Sequence, residues 1–208
     1  MSGRTSELIV VRHGQSTWNV EHRFTGQADP PLSDLGRSQA VDLARSVAAL
    51  SPDAVVTSDL ARAYETGAIV AEHLGLSEPA RLQDLRERWS DALTGLAADD
   101  IEMAFPGQLA AWREARAVTV PGNHEPFDAF ARRVTRGLVD AGGHGDRVLV
   151  VAHAGIFVVL GSLDGAGSQT EVANAEGRLV TVGDGRVLDA GPPIETGAGV
   201  TRTGEQDP

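Results

Sequence analysis

The sequence predicts an α/β fold, a three-layer α/β/α sandwich with a mostly parallel central sheet. Three observations carry that prediction. Leu8–Val11, Ala54–Thr57 and Arg147–Ala152 are apolar, β-branched runs long enough for buried strands and too short for helices. Segments with apolar residues at helical spacing separate them. The first and last of these runs also end in residues that carry chemistry, Arg12-His13-Gly14 and His153. The carboxyl edge of a parallel sheet is where open α/β folds hold their ligands.

Taken in order, residues 7–12 form the first apolar run. Ser33 is placed to cap a helix reaching about Leu50, with Ala40, Leu43, Ala44, Val47 and Leu50 on its inner face. Ala54–Thr57 reads as a short buried strand. Ser58 or Asp59 is then expected to cap a second helix whose inner face is Leu60, Ala63, Tyr64, Gly67, Ala71 and Leu74, with Gly75 as its stop. Residues 80–96 read as irregular. Asp99 and Glu102 resemble a capping pair opening a short helix, which Pro106 interrupts. Helical spacing returns at Phe127, Phe130, Ala131, Val134 and Leu138. Arg147–Ala152 reads as a buried strand, and residues 178–190 as a hairpin turning at Gly183-Asp184-Gly185. Residues 1–6 and 195–208 read as loose tails on one domain spanning 1–208.

A length of 208 residues and a hydrophobic share of 41% suit one sizeable core. No apolar run is long enough to cross a membrane, and the opening MSGRTSE lacks the apolar stretch of a secretory signal. A cytoplasmic location is expected. The chain has no cysteine, which excludes disulfides, thiolate metal sites and cysteine-based phosphatase chemistry. It also has no lysine, as a GC-rich coding bias would produce, and this excludes Schiff-base catalysis and a P-loop lysine. The net charge of −11 disfavours nucleic acid as a partner. A small anionic substrate would be drawn in by a local cluster of arginines. The sequence leaves oligomeric state open, a homodimer included.

Arg12 and His13 at a strand end read as a phosphate grip beside a nucleophile, since Arg offers paired N–H donors and His can carry a covalent intermediate. Asn19 follows shortly and can donate to a phosphate oxygen. Arg62 falls in the first turn of a helix, where the dipole and free N–H groups favour an anion. His153 is delivered to the same sheet edge by the RVLVVA run. Glu87 lies in the irregular stretch. Taken singly, Arg62 and Glu87 read as solvated side chains and His153 as a partly buried histidine with satisfied bonds.

Taken together, RHGQSTWN, RFTGQADPPLSDLG, SDLARAYETG, LRERWSDALTG and VLVVAHAG resemble, in order and spacing, the signature segments of the histidine phosphatase superfamily, the phosphoglycerate-mutase-like group. The likeness runs from about residue 8 to 156, with a fainter echo at Val172-Ala173-Asn174-Ala175. The resemblance implies that His13 is the nucleophile that becomes phosphorylated. It implies that Arg12, Arg62 and His153 complete the phosphate pocket, that Asn19, Thr25 and Gly26 support substrate, and that Glu87 is the general acid. It implies no metal and no cofactor, because arginines take the charge-neutralising role. The activity implied is hydrolysis of a small phosphorylated metabolite. A phosphoglycerate mutase, a phosphohistidine protein phosphatase and a non-catalytic phospho-ligand-binding module are the alternatives. The short segments between Glu87 and His153 and after His153 favour hydrolysis over a mutase, and they suggest an open site.

Three departures from the family pattern stand out. Asp91 and Leu93 occupy places where a glycine and an aromatic are usual, while Gly95 is retained. Asp91 is expected either at a positive-φ position or as a carboxylate near the pocket that disfavours a strongly anionic substrate. Pro121-Gly122-Asn123-His124-Glu125 replaces a Pro-Gly-Gly-Glu-Ser stretch, so His124 and Asn123 serve either the loop, the favoured reading, or the substrate. Ala154 adds a methyl group beside His153.

Overall fold

A computed structural model describes residues 4–115, 118–163 and 172–194. The chain runs β1 (Thr5–Arg12), α1 (Thr17–Val20), α2 (Asp34–Ala48), β2 (Ala54–Ser58), α3 (Ala61–Leu74) and β3 (Ala80–Leu82), then a 3-10 turn at Gln83–Leu85. It continues with α4 (Ala98–Ala104), α5 (Gln108–Arg113), α6 (Phe127–Gly142), β4 (Arg147–Ala152), α7 (Ala154–Leu163), β5 (Gly177–Gly183), β6 (Arg186–Asp189) and β7 (Pro193–Ile194).

The strands lie in one sheet in the order β3-β2-β4-β1-β5-β6, with β7 also paired to β5. β3, β2, β4 and β1 are mutually parallel, and β5 joins β1 antiparallel and carries β6 and β7. The sheet is therefore mixed, with a parallel half that bears the site and an antiparallel edge. Period-2 alternation sorts β1 between two cores. Leu8 and Val10 pack with Phe130, Val134, Leu138, Ile156, Phe157 and Leu160 of α6 and α7. Ile9 and Val11 pack with Leu43, Ala44, Val47, Ala63 and Val70 of α2 and α3. Helices thus cover both faces, as the three-layer prediction requires. A third cluster, Leu93, Ile101, Leu109, Ala111, Val118 and Val120, is the small core of the segment that caps the sheet edge.

Several sequence expectations are corrected. β1 begins at Thr5, because Thr5 and Ser6 pair with Gly183 and Val182, so residues 5 and 6 belong to the sheet and not to a loose tail. Neither Ser58 nor Asp59 caps α3. Its N-cap is Leu60, and the first free N–H, that of Ala61, goes instead to the Asp29 carboxylate at 2.6 Å. Residues 80–96 contain β3, a three-residue strand too short to register as a pattern. Asp99 and Glu102 form no capping pair. α4 starts after Ala97, and Glu102 accepts from the Gly107 N–H at the far end of that helix. Asp91 is not among the positive-φ residues. The hairpin turn is as expected, with Asp184 and Gly185 both at positive φ. Residues 195–208 and the whole segment between α7 and Val172 lie outside the described residues. No helix among the described residues is long and apolar enough to cross a membrane.

Candidate active site

β1 hands its last residue, Arg12, and then His13 to the carboxyl edge of the sheet. The backbone there is pinned on both sides. His13 N–H donates to Ala152 O at the end of β4, and Ala175 N–H donates to Arg12 O. Gly14 follows because the turn runs against the start of α2, where any Cβ would collide with the Gly36 backbone. Gly14 N–H donates to Thr66 Oγ1 at 3.1 Å, and that hydroxyl in turn donates to Arg62 O at 2.7 Å. Thr66, one turn along α3 from Arg62, therefore locks the His13 loop to the helix that supplies the arginine.

The protonation pattern of His13 follows from its partners. Arg62 Nε donates to His13 Nε2 at 3.1 Å. A guanidinium has no acceptor, so Nε2 must be the bare nitrogen. The proton then sits on Nδ1, which donates to Gly14 O at 2.6 Å. His13 is 4% exposed. Burial, then the Arg62 and Arg12 charges, pull its pKa well below 6.5, against a smaller upward pull from the Gly14 hydrogen bond. It is a neutral imidazole with its lone pair on the face shared with Arg62.

Arg62 is 1% exposed and fully braced. Nη1 donates to Ala28 O at 2.7 Å and Nη2 to Gly26 O at 2.9 Å. Burial lowers its pKa to about 10, so it remains a cation at neutral pH. Arg12 donates through Nη1 to Val172 O at 2.9 Å. The His153 ring lies 5.2 Å from that of His13 in an edge-on arrangement. It is fully buried, and neither ring nitrogen has a hydrogen-bond partner among the described residues. Burial and then Arg62, His13, Arg133 and Arg12 lower its pKa well below 6.5. Two buried imidazoles and two arginines thus share one cleft at the parallel edge.

Glu87 reaches the cleft from the loop after the 3-10 turn. Its carboxylate accepts from Arg88 N–H at 2.6 Å and from Gly155 N–H at 3.0 Å, the latter at the first turn of α7. A Cβ on Gly155 would collide with Glu87 Oε1. Arg133 on α6 holds this loop from behind. It donates to the carbonyls of Asp84, Arg86 and Glu87 and pairs through two nitrogens with the Glu125 carboxylate.

The other sequence candidates divide. Gly26 supports the site through its carbonyl, as a brace for Arg62. Asn19 accepts from Ser16 N–H and Ser16 Oγ, which fixes its amide and leaves the NH2 end to donate elsewhere. Thr25 Oγ1 donates to Arg23 O, within its own loop. The Asn123 carbonyl accepts from Asp91 N–H, and the His124 backbone bridges Ser90, so both residues tie this loop to the Ser90–Asp91 stretch through their backbones. Three residues were missed. Asn174 donates to His13 O at 2.9 Å, Thr66 ties the two loops, and Arg133 clamps the Glu87 loop. Asn174 and Thr66 left a trace in the sequence, the first within the Val172–Ala175 echo and the second within SDLARAYETG, whereas Arg133 left none.

This arrangement gathers two imidazoles, two arginines and a carboxylate at one sheet edge, and comparison with known proteins gives the family. Residues 8–181 match the histidine phosphatase superfamily (branch 1), and the chain belongs to that family. It is 38% identical over 154 residues to a 2,3-bisphosphoglycerate-dependent phosphoglycerate mutase of Azorhizobium caulinodans, covering 70% of this chain and 75% of the mutase. It is 32% identical over 189 residues to a metal-independent phosphoserine phosphatase of Arabidopsis thaliana, covering 88% and 79%. Among solved structures, mycobacterial glucosyl-3-phosphoglycerate phosphatase superposes with a TM-score of 0.72 at 32% identity, covering 86% of this chain and 91% of that one.

Proposed function

We propose that this protein hydrolyses a small phosphomonoester through a phosphohistidine on His13, with no metal ion. The observation that carries the reading is the state of His13, a neutral imidazole with Nε2 bare, Nδ1 anchored and a guanidinium beside the lone pair. Such a nitrogen is ready to attack phosphorus without first losing a proton.

In the first half-reaction His13 Nε2 bonds to phosphorus as the bond to the leaving oxygen breaks. Glu87 gives that oxygen its proton. Arg12, Arg62 and the buried nitrogens of His153 face the charge spread over the phosphoryl oxygens, the largest demand of phosphoryl transfer. In the second, water attacks phosphorus, Glu87 takes its proton, and His13 leaves as the neutral imidazole. The lack of any partner on His153 among the described residues supports its role, since a buried polar group left unpaired is costly unless a ligand satisfies it. Phosphatases among the relatives support hydrolysis, and mutases of similar identity stand beside them.

Brief reaction with a phosphomonoester, alkaline quench and peptide mass spectrometry are expected to find an acid-labile phosphoryl adduct on His13. Turnover should persist in excess chelator and stop in orthovanadate. Full activity in His13→Ala, or chelator loss restored by a divalent ion, would overturn the mechanism. One rival has an observation behind it, the 38% identity to a mutase. With 3-phosphoglycerate and a bisphosphorylated primer, rapid 2-phosphoglycerate formation without phosphate release would establish that rival.

A further inference from the structure

Beside the phosphate cleft lies a cavity of about 440 Å³ lined by Gln27, Ala28, Trp89, Ser90, Asp91 and Thr94. Its walls are bonded directly to the catalytic groups. The Ala28 carbonyl holds Arg62 Nη1, and the Gln27 side chain donates to the Glu87 carbonyl at 2.9 Å. Through these bonds the cavity adjoins the groups that would hold a phosphomonoester.

The lining has one charged side chain, the carboxylate of exposed Asp91. Arginines on adjoining segments have acceptors of their own. Arg62 directs three of its five N–H donors to His13 and the Gly26 and Ala28 carbonyls. Arg23, at the neighbouring turn, donates to Glu21 and to Gly95 O. Arg86 forms a two-pronged pair with Asp59. An anionic leaving group would meet a carboxylate and no uncommitted cation in the lining. A hydroxylated one would meet an indole, a carboxylate acceptor and the polar ends of Gln27 and Thr94, which suit the apolar and hydroxyl faces of a sugar-sized molecule.

Building on the phosphatase reading above, we infer that the site selects phosphomonoesters of hydroxyl-rich, sugar-sized alcohols without a carboxylate, and that Asp91 sets this charge preference. Specificity here is repulsive as well as attractive, since Asp91 acts chiefly by penalising acids. One like-charge encounter in a half-solvated pocket is worth about tenfold in kcat/KM. An amino group on the alcohol reverses the sign and is accepted at least as well as a neutral one.

A matched series tests this. Glucosamine 6-phosphate, glucose 6-phosphate and 6-phosphogluconate present the same phosphate on a cationic, a neutral and an anionic alcohol. In the wild-type enzyme kcat/KM should fall in that order, with the last at least about tenfold below the second. Asp91→Asn should shrink that gap to within about threefold, and Asp91→Arg should invert it. The Asp91 side chain is exposed, so neither variant threatens the fold. Affinities of the same three compounds for His13→Gln, measured by calorimetry, read the order independently of turnover. A gluconate preference in the wild type, or an unchanged gap in Asp91→Asn, overturns the inference. Turnover of p-nitrophenyl phosphate with no binding of any of the three overturns the sugar-sized class while leaving the phosphatase reading intact. Failure on p-nitrophenyl phosphate, with the calorimetric order as expected, overturns the phosphatase reading alone.

Discussion

Glu87 and Gly155 constrain each other. The glycine supplies an N–H to one carboxylate oxygen, and its missing side chain is the space the other oxygen fills. Gly155→Ala should therefore behave like a weak form of Glu87→Gln. General acid–base assistance is worth about 10²–10⁴ in rate. Single-turnover phosphoenzyme formation in Glu87→Gln is expected to lose that much on alkyl esters and far less on p-nitrophenyl phosphate, whose leaving group needs little proton help. Gly155→Ala should give the same pattern at smaller size. If Asp91→Asn gives the leaving-group-dependent loss and Glu87→Gln does not, Asp91 is the acid. At this scale Arg12, His13, Arg62, Glu87 and His153 were legible because their segments, most of them at a strand end or helix start, stand in a recognisable order. The bracing of Arg62 by Gly26 and Ala28 was not, because those carbonyls act across more than thirty residues and any residue type carries a carbonyl.

At the scale of elements, the active centre depends on how α6 grips a loop with no regular structure of its own. Arg133 ends in three backbone carbonyls and the Glu125 carboxylate, with the two side chains only 14% and 11% exposed. Removing one member of such a pair strands the other, at a cost of about 3–5 kcal/mol. Arg133→Met should lower the urea-unfolding free energy by that order and reduce kcat as the Glu87 loop loosens. Adding Glu125→Gln should recover part of the stability, because the stranded charge is gone, but not the rate. Equal recovery of both would mean that the carbonyl bonds do not position Glu87. The sequence displayed α6 plainly through its apolar spacing but not this use of its polar face. Likewise α2, β2, α3 and β4 were legible from periodicity and stop signals, whereas β3 was too short and the α3 cap came from Asp29, far away in the chain.

At the scale of the whole molecule, an acidic protein folds around a cationic, imidazole-rich cleft, and this sets its response to pH. His13 and His153 are both held neutral in the folded state, first by burial and then by the neighbouring charges. In the unfolded chain each takes up a proton near a pH of about 6.5. Below that value the unfolded state binds more protons, so folding stability falls as the solution is acidified. The contribution is complete above about pH 6.5 and is lost progressively below it, until the depressed folded pKa values are reached. Each histidine costs up to about 1.4 kcal/mol per pH unit in that window, and the pair about 3 kcal/mol by pH 5.5. That is a large part of the roughly 5–15 kcal/mol that keeps a typical globular domain folded. Urea unfolding at pH 7.5, 6.5 and 5.5 should therefore give a free energy that falls slightly over the first interval and steeply over the second, and His153→Gln should show about half that fall. Because Nε2 of His13 stays bare across the same range, kcat should hold at acidic pH until the fold itself fails. A flat stability between pH 7.5 and 5.5 would show that these imidazoles are protonated in the folded protein, and the neutral-nucleophile mechanism would fall with it.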